Sequence, residues 1–188
     1  MEDTDCFDLI QDRQGNGERR LYENCRVKGF ELRVVRDEPI KLKLDITSEL
    51  SPVIYPHTEY IKTETGNRFY GDFVNYKING KEYNNIYAFT MLVKKENGVK
   101  TELWLHRSIE TGKIIPDVIE ELSMTAHLFI GKADYQCLGT FTITLKELVL
   151  ISDETNVNSV DTVIGPLRYY VSGAVSAEVF NSRGDNIP

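Results

Sequence analysis

The chain has 188 residues, of which 41% are hydrophobic and 27% charged, and its formal net charge is -7. This length supports one substantial core, and this composition is that of a globular domain rather than of a disordered chain. The acidic balance argues against a protein that holds nucleic acid tightly, because phosphate neutralisation requires a concentrated basic surface. No apolar run approaches the roughly 20 residues that cross a bilayer, so no membrane span is expected.

The first quarter of the chain is predicted to form two β-hairpins. Residues 6–10 and 19–22 are two short strands joined by a polar turn that contains glycine. The stretch "GFELRVVRDEPIKLKLDITSEL" then alternates apolar and polar residues, which predicts strands over 27–35 and 40–46. One face of this second hairpin is apolar. The other face carries charges of both signs, and we call it the charged face: Glu31, Arg33, Lys41, Lys43 and Asp45.

Regular alternation stops between Thr47 and Gly71, where two prolines and two glycines interrupt it. We predict a long irregular loop over 47–71, and a loop of this length in a compact domain is usually functional or disordered. Its aromatic content indicates that it packs against another surface. The residues that we select for such a contact are Tyr55, His57, Tyr60, Phe69 and Tyr70.

Further hairpins follow the loop. Asn79-Gly80 is a strong turn signal, and "ENG" at 96–98 predicts a second turn. The segment "GKIIPDVIEELSM" is predicted to contain one short helix, with Pro116 in its first turn. A long strand follows in "CLGTFTITLKELVLI", and the last strands lie within "VIGPLRYYVSGAVSAEVF". Residues 181–188 are polar and are predicted to form a flexible tail.

These elements predict a single, mainly β domain over 1–188. Repeated hairpins without alternating helices indicate an antiparallel β-sandwich or a partly open barrel, with one short helix and one long irregular loop.

The sequence offers no convincing catalytic, metal-binding or cofactor-binding motif. The three histidines stand in no metal-ligand spacing, and no nucleophile or phosphate-loop motif is present. The three cysteines are widely separated and odd in number, which favours free thiols over a disulfide framework. We therefore expect a protein that is not an enzyme and that uses no cofactor. Ten tyrosines leave open a β-sandwich module that binds a ligand such as a carbohydrate.

The order of elements resembles that of phage tail tube proteins, the major tail proteins of phage tails. The similarity begins in "FDLIQDRQGNGERRLYENCRVKGFELRVVRDEPIKLKLDI", with a short hairpin, a tyrosine, a Cys-x-Val step and two long alternating strands. It continues in "GTFTITLKELVLISDE" and "DTVIGPLRYYVSGAVSAEVFN". The resemblance covers most of the chain and is one of pattern.

The resemblance implies a virion structural protein that assembles with copies of itself. Hexameric rings would stack into a tail tube in the cytoplasm of a bacterial host, and DNA would pass through the channel without specific binding. The charged face would line that channel, and 47–71 would be an assembly arm that reaches a neighbouring subunit. Other tail proteins, such as the tape measure and the tail terminator, would be further partners. A ligand-binding β-sandwich remains the alternative.

Overall fold

The computed structural model of the chain describes residues 6–13, 18–36, 38–56, 69–95, 97–108, 114–130, 136–157, 162–181 and 186–187. Within these ranges the chain forms β-strands and no helix. The strands are β1 (Phe7–Arg13), β2 (Glu18–Val35), β3 (Lys41–Ser48), β4 (Val53–Pro56), β5 (Phe69–Ile78), β6 (Lys81–Glu82), β7 (Ile86–Lys94), β8 (Lys100–Arg107), β9 (Val118–Ile130), β10 (Gln136–Asp153), β11 (Asn156–Val157), β12 (Thr162–Val163), β13 (Leu167–Val171), β14 (Val175–Asn181) and β15 (Asn186–Ile187).

Thirteen of these strands belong to one sheet, in the order β1-β2-β7-β8-β13-β10-β9-β5-β6. Strands β3 and β4 pair with β2, strand β14 pairs with β10, and β15 pairs with β14. Each of these pairs is antiparallel. The predicted mainly β, antiparallel architecture is therefore confirmed. Over the described residues the sheet is open and does not close on itself.

One face of the sheet forms a single hydrophobic core, to which β2, β5, β7, β8, β9, β10 and β13 contribute. Alternation explains this, because every second side chain of a strand points to the same face. Leu32 and Val34 near one end of the strand order share the cluster with Tyr76 and Ile78 near the other end. The sheet must therefore curl so that its two ends approach each other. We call the face toward this cluster the core side and the opposite face the outer side.

Two of the predicted turns are present with the expected backbone. Asn79 and Gly80 both have positive φ between the paired residues Ile78 and Lys81, as a two-residue hairpin turn of the primed type requires. Asn97 and Gly98 also have positive φ between β7 and β8. These two hairpins could be located because asparagine and glycine adopt this conformation at low cost.

The predicted short helix after Pro116 is wrong. The segment is strand β9, which pairs with β5 on one side and with β10 on the other. Leu122, Met124 and Ala126 are buried at a spacing of two, as in a strand. The spacing between Ile119 and Leu122 fits a helix equally well, and the two neighbouring strands decide the outcome.

The predicted irregular segment is too long at both ends. Strand β3 extends to Ser48, β4 occupies Val53–Pro56, and β5 begins at Phe69. The predicted flexible tail also contains a strand, because Asn186–Ile187 pairs with β14. Residues 57–68 and 182–185 lie outside the described part of the chain.

Gly29 provides a test of the junction between β2, β3 and β7. It pairs with Asp45 on one side and with Lys94 on the other, and a Cβ atom there would overlap the carbonyl oxygen of Val93. We expect Gly29→Ala to lower the free energy of unfolding by about 1–3 kcal/mol, because the backbone must shift to relieve the overlap. Urea denaturation followed by circular dichroism measures this loss. The exposed neighbour Lys28→Ala is the control, and an equal effect of both changes would contradict the overlap.

Candidate assembly and channel surfaces

The β2–β3 hairpin brings the predicted charged face together. Arg33 pairs with Lys41 and Glu31 with Lys43, while Asp45 pairs with Gly29. Directly paired residues point to the same side of a sheet, so all five positions lie on the outer side. Glu31 is half-buried, and the other four charged side chains are exposed.

The apolar face of the same hairpin is covered on one strand only. On β2, Leu32 and Val34 are buried in the core and Phe30 is half-buried against it. On β3, the paired residues Leu42 and Leu44 remain 60% and 46% exposed. Among the described residues β3 pairs only with β2, and the core ends beneath β2. Strand β3 is therefore an edge strand with an uncovered apolar face.

A second uncovered apolar surface is the N-terminal arm, which we define as β1, residues 18–25 of β2, and β4. The arm is a three-stranded piece of sheet in which Leu21 pairs with Ile10 on one edge and Val53 on the other. None of its side chains belongs to the core cluster. Ile10 on one face is 58% exposed, and Ile54 on the other is 54% exposed. Both faces of the arm thus carry apolar side chains that the described chain leaves open.

A groove of about 600 Å³ lies where the arm meets β3. Its lining combines apolar residues of β1, β2 and β3 with polar groups at the end of β3. The apolar part is formed by Leu9, Ile10, Tyr22, Cys25, Ile46 and Leu50. Cys25 is a buried free thiol, whereas Cys6 is an exposed one.

The residues that we selected in the predicted loop lie on different strands where the structure describes them. Tyr55 is exposed on β4 and pairs with Arg19 of the arm. Phe69 and Tyr70 belong to β5, which pairs with β9 and not with the arm. His57 and Tyr60 lie outside the described residues, as do the side chains of Phe69 and Tyr70. Of the five selected residues, Tyr55 is the one that the structure assigns to an uncovered surface.

The outer side continues from the charged face across β7, β8 and β13 with polar contacts between strands. Arg168 on β13 donates hydrogen bonds to the Glu102 carboxylate on β8, the shorter being 2.7 Å. The same guanidinium lies 5.6 Å from the centre of the Trp104 ring. This cluster joins residues 66 positions apart, so no local pattern in the sequence indicates it.

Arg33, a residue of the charged face, affects the pKa of a histidine on the outer side. Burial lowers the pKa of His106, and the positive charge of Arg33 lowers it further, against the opposing influence of Glu154. His106 also contacts the Tyr87 ring, with 5.9 Å between ring centres. The imidazole is therefore held neutral near pH 7.

An apolar row that sequence reasoning missed crosses the outer side of β13, β10 and β9. Tyr170 pairs with Val149, and Val149 pairs with Val118. All three side chains are exposed. Each of these residues follows the alternation of its own strand, so the row becomes visible only once the strand order is known.

Within the described ranges, no group of three or more His, Cys, Asp or Glu side chains is arranged to hold a metal ion. In the same part of the chain there is no helix long and apolar enough to span a membrane. The exposed tyrosines 55, 87 and 170 lie on β4, β7 and β13, which do not pair with one another.

The geometry defines an antiparallel β protein with one curled sheet, an uncovered edge strand and an uncovered arm. Comparison of the sequence with protein-family models and with curated proteins gives no match.

The ion pair between Arg107 and Asp153 predicts a dependence of stability on pH. Burial opposes ionisation of Asp153, but hydrogen bonds from Thr155 and Arg107 outweigh it and hold the pKa of this carboxyl below its ordinary value of 3.8. A lowered folded pKa contributes stability above the unfolded pKa, and this stability is lost as the pH falls through the folded pKa.

We expect Asp153→Asn to lower the free energy of unfolding at pH 7 by about 1 kcal/mol or less, because both partners are partly exposed. The deficit relative to the unmodified chain should shrink as the pH falls below 3.8. Urea denaturation at several pH values measures it, with Asp45→Asn on exposed β3 as the control. A deficit that does not change with pH would contradict the assignment.

Proposed function

We propose that the chain is a structural subunit that assembles with copies of itself into rings, and that the rings stack into a tube around a channel for DNA. In this proposal the subunit is a sandwich-like β domain similar in role to a phage tail tube protein. It would belong to the tail of a virion and assemble in the cytoplasm of the bacterial host. The tape measure and the tail terminator would be its further partners.

The observation that carries the proposal is strand β3. It combines an unpaired edge over the described residues, an uncovered apolar face and a charged face on one short element. An exposed strand edge tends to pair with another chain, and natural proteins cover or protect such edges. Covering Leu42 and Leu44 in a subunit contact contributes about 2–4 kcal/mol per contact, on the basis of the transfer free energy of leucine side chains.

The charged face supports a channel wall that does not retain DNA. It contains three cations and two anions, so it lacks the dense positive charge that holds phosphates through counterion release. The net charge of the whole chain, -7, has the sign that repels phosphates. A channel with such a wall would bind DNA only weakly at every position, so DNA could pass through it.

Size-exclusion chromatography with light scattering, followed by negative-stain electron microscopy, tests the proposal on concentrated full-length protein. We expect rings or hollow tubes whose mass is a multiple of the subunit mass. A protein that remains a monomer up to its solubility limit would contradict the proposal. A monomer that also binds a glycan array would favour the alternative of a ligand-binding module.

A further inference from the structure

A second unpaired edge lies on β14. This strand pairs with β10 along its whole length, and on its other side it pairs with β15 only at Val179 and Phe180. Within the described chain, residues 175–178 therefore have no paired strand on that side. Val175 is 42% exposed. Strand β14 thus resembles β3 in having a free edge next to an apolar side chain that the subunit does not cover.

The two edges have the same orientation relative to the core. Val175 pairs with Leu145 and Ala177 with Ile143, both buried, so the apolar residues of β14 lie on the core side. Ser176 and Glu178 pair with threonines of β10 on the outer side. Strand β3 has the same arrangement, with its leucines on the core side and its lysines on the outer side.

We propose that β3 of one copy pairs with β14 of the next copy, so that the sheet continues from subunit to subunit. The inference rests on the proposed function, and it names the two edges that meet. Leucines 42 and 44 would then adjoin Val175 and Ala177 on the core side. On the outer side Lys43 would face the strand that carries Glu178, and cross-strand pairs of opposite charge stabilise a sheet.

The alternative pairing of each edge with itself is less favourable. A two-fold pairing of β3 is antiparallel, and if it is centred on Leu42 or on Lys43 it places Lys43 opposite a lysine of the other chain. Like charges opposite each other destabilise paired strands. A contact between two different edges is also heterologous, and such a contact produces a closed ring when its rotation closes. The position of Lys43, which meets a lysine in these self-pairings and Glu178 in the proposed contact, favours the heterologous pairing.

Cysteine cross-linking of the full chain tests the pairing. Four double variants combine Leu42→Cys or Leu44→Cys with Val175→Cys or Ala177→Cys, in a Cys6→Ser background that removes the exposed thiol. Two of these combinations are expected for parallel strands and two for antiparallel strands. Paired side chains on one face lie close enough for a disulfide. After mild oxidation we expect at least one double variant to give a ladder of dimers, trimers and larger species on a non-reducing gel.

The controls distinguish the proposed contact from others. Lys43→Cys combined with Ala177→Cys places the thiols on opposite sides of the sheet and should give no ladder. Single variants should remain monomeric on the gel, and dimers from Leu44→Cys alone would overturn the inference in favour of self-pairing of β3.

Charge reversal gives a second measurement that does not depend on thiols. Lys43→Glu and Glu178→Lys should each raise the protein concentration at which assembly begins by several-fold. The combined variant should return it to within about twofold of the original value, in line with the size of cross-strand charge pairs.

The outcomes separate this inference from the proposed function. Rings or tubes in the microscope with no ladder from any of the four double variants overturn the edge pairing and leave the proposed function standing. Dispersed monomers with no ladder overturn both. A ladder together with rescue by the combined charge reversal supports both.

Discussion

Replacing Leu42 and Leu44 together with glutamate is expected to give a folded monomer that no longer assembles. The two side chains are 60% and 46% exposed and lie outside the core cluster, so the fold loses little when they change. In the assembled state the change removes about 2–4 kcal/mol of apolar burial per contact and places two carboxylates in the interface. The concentration at which assembly begins should rise by about 100-fold or more, since each 1.4 kcal/mol corresponds to a factor of ten.

Light scattering measures assembly in this double variant, and a thermal melt by circular dichroism measures the fold. Val99→Glu is the matched control, because it also replaces an exposed apolar side chain but lies in the turn between β7 and β8. We expect this control to assemble normally. Loss of assembly in both proteins would indicate a general effect of surface charge, and a lost melting transition in the double variant would indicate that β3 belongs to the fold itself.

Phe89→Ala should produce the largest loss of stability among the changes considered. Phe89 is fully buried on β7, between its pairing partners Val34 on β2 and Leu105 on β8. Truncation of a buried phenylalanine leaves a cavity and costs about 3–5 kcal/mol. This is a large part of the roughly 5–15 kcal/mol that stabilises a typical domain.

The measurement is urea denaturation at pH 7, and Tyr87→Ala is the control on the same strand. Tyr87 is exposed and contacts the His106 ring, so its removal should cost well under half as much. Similar losses for both variants would mean that the centre of the core is not where β2, β7 and β8 meet.

The sequence predicted where strands lie and which side chains share a face. It did not predict which of those faces other parts of the chain cover. Alternation predicted that the charged residues of the β2–β3 hairpin share one face, and the register of the hairpin agrees. The same alternation placed Leu42 and Leu44 on the apolar face of the hairpin, and both are exposed. Alternation reports which side chains point the same way, and it contains no information on whether another layer covers them.

The remaining differences have similar causes. The spacing of Ile119 and Leu122 fitted a helix, and only the strands on both sides of β9 select the extended form. The contact between Arg168 and Glu102 joins positions far apart in the chain, so it depends on the strand order. The extended form of 6–10 and 19–22 was predicted correctly. The predicted break between 19–22 and 27–35 is wrong because both belong to β2, and β4 lies in the segment that was predicted as a loop.

That length has a mechanical consequence. Strand β2 runs without a break over 18 residues, roughly 60 Å at the usual rise per residue, from the N-terminal arm into the core. A force applied to the arm by a neighbouring molecule would therefore travel to the core along covalent backbone and not through a hinge. In the tube that we propose, tension on the arm of a subunit would be passed directly to the core of that subunit.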